Sequence, residues 1–98
     1  MIYYPIFLDV QGKPVLLVGG GHVADEKLGK LVEHGADVTI VAPDLIPAVR
    51  AFVDEGRAKW LQREFQDGDT DGAFLVMVAT DNGAVNRRVA DEARSKKI

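Results

Sequence analysis

The chain has 98 residues, of which 47% are hydrophobic and 28% are charged, and these values fit one globular domain rather than a disordered or low-complexity chain. Twelve basic and fifteen acidic residues give a net charge of −3, which argues against nucleic acid or an anionic membrane as a partner. The chain has no cysteine and only two histidines, so it offers no disulfide, no thiol nucleophile and no cysteine-based metal site. Its first residues form neither a signal peptide nor a membrane-spanning run, so we expect a soluble, cytoplasmic protein.

Short apolar runs alternate with longer amphipathic stretches along the chain. The apolar runs predict β-strands, and they lie at residues 14–18, 38–42, 58–61 and 73–79. A weaker run at residues 3–10 suggests an additional edge strand. Strands that alternate with helices, and that are apolar on both faces, indicate a parallel sheet covered by helices. We predict a single domain over residues 1–98 of the α/β class, a Rossmann-like parallel sheet of four to five strands in the order 3-2-1-4 with helices on both faces.

Turn and cap residues set the expected limits of the helices. Gly35 stands where the first helix should end, because glycine is the usual residue just past a helix C-terminus. Asp44 is expected to cap the second helix, ahead of Pro47 in its first turn. Thr80-Asp81 is expected to cap the third helix in the same way.

A glycine-rich turn separates the first long strand from its helix. The sequence Val18-Gly19-Gly20-Gly21-His22-Val23-Ala24 fits the G-x-G-x-x-A pattern of folds that bind a dinucleotide pyrophosphate at a helix N-terminus. In that pattern Gly19 permits the tight turn, Gly21 lets the backbone approach the phosphates, and Ala24 lets helix and strand pack closely. His22 would act through its backbone. The alternative is a glycine-rich turn in a fold that binds nothing.

The ends of the second and fourth strands supply further candidate contacts, since ligands of open α/β sheets lie along the carboxyl edge. After the second strand, Pro43 is followed by Asp44, which could bind the adenosine ribose or only cap a helix. No lysine or arginine occurs between residues 41 and 49, which favours NAD over NADP as the cofactor. After the fourth strand, Thr80 and Asp81 could contact the cofactor or its substrate, or only cap the last helix.

Two acids, Asp25 and Glu26, lie in the first turn of the helix that follows the glycine turn. Acidic side chains at a helix N-terminus stabilise the helix. They would also repel a bound pyrophosphate if they faced it. We therefore expect weak binding of NAD(H).

Four segments of the chain occur in the order and at the spacing of one known family. They are Tyr4-Pro5-Ile6-Phe7-Leu8, the glycine turn with Lys27, residues 35–43, and Ala79-Thr80-Asp81 with Asn86. Together they resemble the N-terminal domain of siroheme synthase, the precorrin-2 dehydrogenase and sirohydrochlorin ferrochelatase family. The resemblance covers nearly the whole chain.

The resemblance implies an oxidoreductase of siroheme biosynthesis that oxidises the tetrapyrrole precorrin-2 to sirohydrochlorin with NAD, and iron insertion in some members. It implies a homodimer for the full-length family. It also implies where the cofactor is contacted. Those positions are Gly21, His22, Val23, Pro43, Asp44 and Thr80.

The sequence departs from the family pattern in two places. Glu26 stands where the family usually has arginine, immediately before Lys27, and so reverses a charge beside the glycine turn. The family's catalytic aspartate lies on a strand that would follow Ile98, so no residue here is assigned a catalytic role, and Asp81 is not its equivalent. The family's dimerisation segment also comes after that point. The alternatives to the enzyme are a non-catalytic or truncated dinucleotide-binding module and a flavodoxin-like scaffold with an empty glycine turn.

A sheet that stops after the fourth strand and its helix leaves one edge unpaired, and unpaired edges favour association. We expect the side chains of Trp60, Phe65 or Phe74 to be incompletely covered, and the chain to self-associate through that edge or to bind a C-terminal partner.

Overall fold

Four parallel strands form one sheet in the computed structural model, which describes residues 8–95. In chain order the elements are β1 (Pro14–Val18), α1 (His22–Glu33), β2 (Asp37–Val41), α2 (Pro47–Asp54), β3 (Lys59–Leu61), β4 (Leu75–Val78) and α3 (Gly83–Ser95). The strand order is β3-β2-β1-β4, which confirms the predicted α/β class and topology. The additional edge strand suggested at residues 3–10 lies largely outside the described residues, and residues 8–10 are not in a strand.

The register of the strands brings their carboxyl ends to one edge of the sheet. Val18, the last residue of β1, pairs with Val41 at the end of β2 and with Val78 at the end of β4. Val41 also pairs with Leu61, the last residue of β3. The segments that follow all four strands are therefore gathered along one line.

Alternate residues of β1 face opposite layers of helices, as the two-residue period of a strand requires. Val15 and Leu17 are buried with Leu28 of α1 and with part of α2 on one face of the sheet. Leu16 and Val18 are buried on the other face, in a cluster that includes α3. Because β1 is packed from both sides, the turn that follows it starts from a fixed position.

The first helix ends where its glycine predicts. Gly35 has a φ of 80°, in the left-handed region that glycine adopts without strain. The Gly35 N–H donates to the carbonyl of Val32, and the Ala36 N–H donates to the carbonyl of Leu31, each at 3.0 Å. This pair of bonds is the Schellman motif that satisfies the last carbonyl groups of a helix.

The expected cap of α2 by Asp44 is wrong. The helix begins at Pro47, its N-cap residue is Ile46, and no side chain caps it. The Ile46 N–H donates to the carbonyl of Gly20 at 2.9 Å. The chain after β2 therefore runs past Asp44 to contact the glycine turn before the helix can begin.

The expected cap of α3 by Thr80-Asp81 is also wrong. The helix begins at Gly83, and the Asn82 side-chain oxygen accepts hydrogen bonds from the N–H groups of Ala84 and Val85 at 3.1 and 3.2 Å. Asn82 is thus the capping residue. At 13 residues α3 is the longest helix between residues 8 and 95, and no helix in that range is long and apolar enough to cross a membrane.

The outer strand β4 is only partly covered. All four of its residues are half-buried, and the side chain of the preceding Phe74 is 44% exposed, as expected for an edge. Trp60 is half-buried, while Phe65 is only 5% exposed. The expectation of poor coverage is therefore met by Phe74 and is wrong for Phe65, which packs beneath α3. Self-association of the chain stays a prediction.

Candidate cofactor-binding site

An open cleft of about 760 Å³ lies along the carboxyl edge of the sheet. Four segments of the chain meet there: the glycine turn after β1, the segment between β2 and α2, part of the segment after β3, and the segment between β4 and α3. This is the edge at which open α/β sheets bind their ligands. All nine predicted site residues line the cleft, and they are Gly19, Gly20, Gly21, His22, Val23, Pro43, Asp44, Thr80 and Asp81.

The first two glycines of the turn are packed tightly against neighbouring backbone. Gly19 has a φ of 124°, and a Cβ atom placed on it would lie 2.5 Å from the carbonyl oxygen of Ala79, at the end of β4. A Cβ on Gly20 would collide with the backbone of Asp44 and the side chain of Leu45. Only glycine lets the turn thread between the ends of β2 and β4 at these two positions.

The third glycine faces open space instead. Gly21 is the N-cap residue of α1, and a Cβ placed on it would meet no atom within 4 Å. No side chain caps the first turn of α1. The N–H groups of a first helical turn have no partner within the helix, and together with the helix dipole they favour an anion. The absence of a side chain at Gly21 thus leaves room for a group from outside the protein.

The segment after β2 forms the side of the cleft nearest β3. Pro43 and Asp44 are exposed there. The preceding Ala42 is buried, and its carbonyl accepts a hydrogen bond at 2.9 Å from Nε1 of Trp60 in β3. Since Asp44 does not cap α2, its carboxylate is available to a ligand such as a ribose.

The segment after β4 is held by a reciprocal pair of hydrogen bonds. The Thr80 hydroxyl donates to Oδ1 of Asn86 at 2.5 Å, and Nδ2 of Asn86 donates to the Thr80 carbonyl at 2.9 Å. Asn86 therefore acts as a polar anchor for Thr80 and does not line the cleft itself. Asp81 is exposed beside this anchored residue.

Neither of the two acids at the start of α1 lines the cleft. Glu26 instead lines a separate concavity with Lys27, Lys30 and Met77. The positions of these two acids therefore do not support the expected repulsion of a bound pyrophosphate. Within residues 8–95 there is no group of three or more His, Asp or Glu residues that could hold a metal ion.

Sequence reasoning missed one wall of the cleft. Glu64 and Phe65 follow β3 and line the cleft, although neither is among the site residues predicted from the sequence. Phe65 is a single large apolar residue among polar neighbours, and its isolation is the one signal in the sequence that points to burial.

The loop that carries these two residues is firmly anchored. The Arg63 guanidinium donates two hydrogen bonds to the Asp69 carboxylate, at 2.7 and 2.8 Å. The hydrogen bond from Arg63 holds the pKa of Asp69 below its usual value, against an opposing effect of burial. Glu92 of α3 accepts bonds from the backbone N–H groups of Gly68 and Thr70 and from the Thr70 hydroxyl.

A parallel α/β sheet with a glycine turn leading into an uncapped helix, and an open cleft at its carboxyl edge, defines the chain as a nucleotide-binding domain of the Rossmann-like class. A family model described as "putative NAD(P)-binding" matches residues 6–98. The chain belongs to that family.

Curated relatives match almost the whole chain. A siroheme synthase of Actinobacillus pleuropneumoniae serotype 3 (strain JL03) is 39% identical over 97 residues, which are 99% of this chain and 20% of the relative. A precorrin-2 dehydrogenase of Bacillus subtilis (strain 168) is 37% identical over 89 residues, which are 91% of this chain and 55% of the relative. The chain thus spans between a fifth and about half of the length of these two relatives.

A solved structure has the same fold. The protein named SirC, precorrin-2 dehydrogenase, superposes with a TM-score of 0.85 at 31% sequence identity. The match covers 90% of this chain and 44% of SirC. The fold predicted for this chain is therefore shared with an enzyme that has the activity implied by the sequence resemblance.

Proposed function

We propose that this chain is the NAD(H)-binding part of an enzyme that oxidises precorrin-2 to sirohydrochlorin in siroheme biosynthesis. The observation that carries the proposal is the cleft at the carboxyl edge of the sheet, where an uncapped helix N-terminus and nine predicted contact residues converge. The names of the relatives supply the substrate class.

The residues of the cleft fit a dinucleotide. The N–H groups at the start of α1 would bind the pyrophosphate, because Gly21 leaves them open to an anion. The Asp44 carboxylate would accept hydrogen bonds from the adenosine ribose hydroxyls. Thr80 and Asp81 lie across β1 from Asp44, on the side where the nicotinamide half would extend.

When bound, NAD+ supplies the hydride acceptor, and the oxidation of precorrin-2 removes a hydride and a proton from the tetrapyrrole. The role of this chain is to fix the position of the cofactor at the edge of the sheet. No residue of the chain is assigned as the group that handles the proton. We place the activity, as the sequence resemblance does, in a cytoplasmic homodimer of longer chains.

Calorimetric titration of the chain with NAD+ and NADH tests the proposal, with Gly21→Val as the variant. We expect the wild-type chain to bind and the variant to lose binding, because a branched side chain would occupy the approach of the phosphates. Since a Cβ at Gly21 meets no protein atom, circular dichroism should show an unchanged fold. Equal affinity in the variant would place the ligand elsewhere and refute the proposed site.

A further inference from the structure

The cleft extends to both sides of the end of β1, and different segments of the chain form the two sides. In folds of this class, the acid that follows the second strand lies at the adenosine ribose, and Asp44 occupies that position. β3 is the neighbour of β2 on the side away from β1. The segment after β3, which brings Glu64 to the cleft, therefore lies on the adenosine side with Asp44, whereas Asp81 follows β4 on the other side.

The backbone at Glu64 is fixed by both of its neighbours. Arg63 donates to the Glu64 carbonyl at 3.1 Å while its guanidinium is paired with Asp69. On the other side, Phe65 is buried under α3. The exposed carboxylate of Glu64 is thus carried on an anchored backbone at the wall of the cleft.

The cations near this wall already have partners. Arg63 is paired with Asp69. Arg88 donates to the Asp67 carboxylate at 2.8 Å, and its guanidinium lies 5.4 Å from the centre of the Phe65 ring. Neither arginine lines the cleft, and the described residues that do line it include three carboxylates and no lysine or arginine.

We propose that Glu64 is a specificity-determining residue of the cleft, whose carboxylate disfavours a phosphate group on the 2′ position of the adenosine ribose. The inference rests on the proposed function, because it requires a dinucleotide in the cleft. NADP carries that phosphate and NAD does not. A 2′-phosphate would therefore meet Glu64 and Asp44 with no cation to offset the like charges, whereas the ribose hydroxyls of NAD can donate hydrogen bonds to the same carboxylates.

Fluorescence titration with NADH and NADPH tests the inference on the wild-type chain, Glu64→Gln and Glu64→Lys. We expect the wild type to prefer NADH. The ratio of NADPH to NADH affinity should rise about tenfold or more in Glu64→Lys, which corresponds to about 1.4 kcal/mol, and by less in Glu64→Gln. The rise should shrink at high salt, because the carboxylate is exposed and screened.

Glu33→Lys is the matched control. It makes the same change of net charge at an exposed position near the end of α1, at the opposite end of that helix from the glycine turn. We expect it to leave the affinity ratio unchanged. An equal shift in the control would mean that net charge, not Glu64, sets the preference, and would overturn the inference.

Two further outcomes separate the inference from the proposed function. If the wild type binds NADH and the ratio does not change in Glu64→Lys, or if the wild type already prefers NADPH, the inference is wrong and the binding site stands. If neither dinucleotide binds the wild type or any variant, the proposed function fails and the inference fails with it.

Discussion

Adjacent glycines in the turn after β1 have different physical roles. Gly20 is required by the protein itself, because the backbone of Asp44 leaves no room for a side chain. Gly21 has no such neighbour, so its lack of a side chain matters to a ligand and not to the fold. The sequence pattern predicts a glycine turn but does not distinguish these roles, since they depend on which segments pack against the turn.

This difference predicts unequal effects on stability. Gly20→Ala should lower the free energy of unfolding by about 1–3 kcal/mol, the usual cost of overpacking a tightly packed position. Gly21→Ala should change it by less than about 1 kcal/mol, because its Cβ enters open space and the backbone φ of −97° suits any residue. Urea unfolding of the two variants measures both values. Equal losses would show that Gly21 is also packed against the protein.

Individual site residues could be predicted from the sequence where a local pattern identifies them. The glycine turn and the strand ends place all nine expected residues at the cleft. Glu64 and Phe65 could not be predicted, because they reach the cleft through the anchoring of their loop to α3. The bonds that do this join residues more than twenty positions apart, such as Thr70 and Glu92.

The sequence predicts the strands and the C-terminal end of α1, but it does not predict where α2 and α3 begin. The strand order and the glycine stop at Gly35 are as expected. The start of α2 is displaced from Asp44 because Ile46 bonds to Gly20 across the cleft. The start of α3 is capped by Asn82 instead of Thr80, whose hydroxyl oxygen accepts from the Asn82 N–H and whose hydroxyl donates to Asn86. A tertiary contact thus displaces the start of α2, whereas α3 uses a local cap two residues beyond Thr80.

The pairing of Arg63 with Asp69 in the loop after β3 predicts that the stability of the fold depends on pH. The pKa of Asp69 is lowered in the folded chain by its hydrogen bonds from Arg63 and from the Gln66 N–H. A lowered folded pKa gives stability that is present above the unfolded pKa and is lost as the pH falls through the folded value. Asp69→Asn should therefore lower the free energy of unfolding by about 1.5–3 kcal/mol at pH 7. The difference in this free energy between the variant and the wild type should narrow below about pH 4.

Asp91→Asn is the control for this experiment. Asp91 pairs with Arg94 at 3.4 Å, and both side chains are more than half exposed, so the pair should contribute less than about 1 kcal/mol. Thermal or urea unfolding of wild type and both variants between pH 3 and pH 7 gives the comparison. A constant difference between Asp69→Asn and wild type across that range would contradict the assignment.

The packing of helices on both faces of the sheet and the register of its strands form the carboxyl edge at which the cleft lies. β1 is buried on both faces. The ends of β2 and β4 lie beside the end of β1, and the end of β3 lies beside the end of β2. This arrangement holds four separate segments at one cleft, and the described part of the chain has no cluster of candidate metal-ligating residues and no cysteine. The alternation of apolar runs and amphipathic stretches predicts the parallel strand order, which brings three of these segments together, but it does not predict that the segment after β3 reaches the cleft.

Amide chemical shifts of the ¹⁵N-labelled chain, followed during titration with NADH, show whether this cleft binds NAD(H). We predict that the amides of Gly19 to Val23, Asp44, Thr80 and Asp81 shift in a saturable way. The amide chemical shifts of Lys30 and Met77, at the separate concavity between α1 and β4, should not change. Saturable shifts confined to that concavity, with the amide shifts of the glycine turn unchanged, would show that NADH does not bind in this cleft.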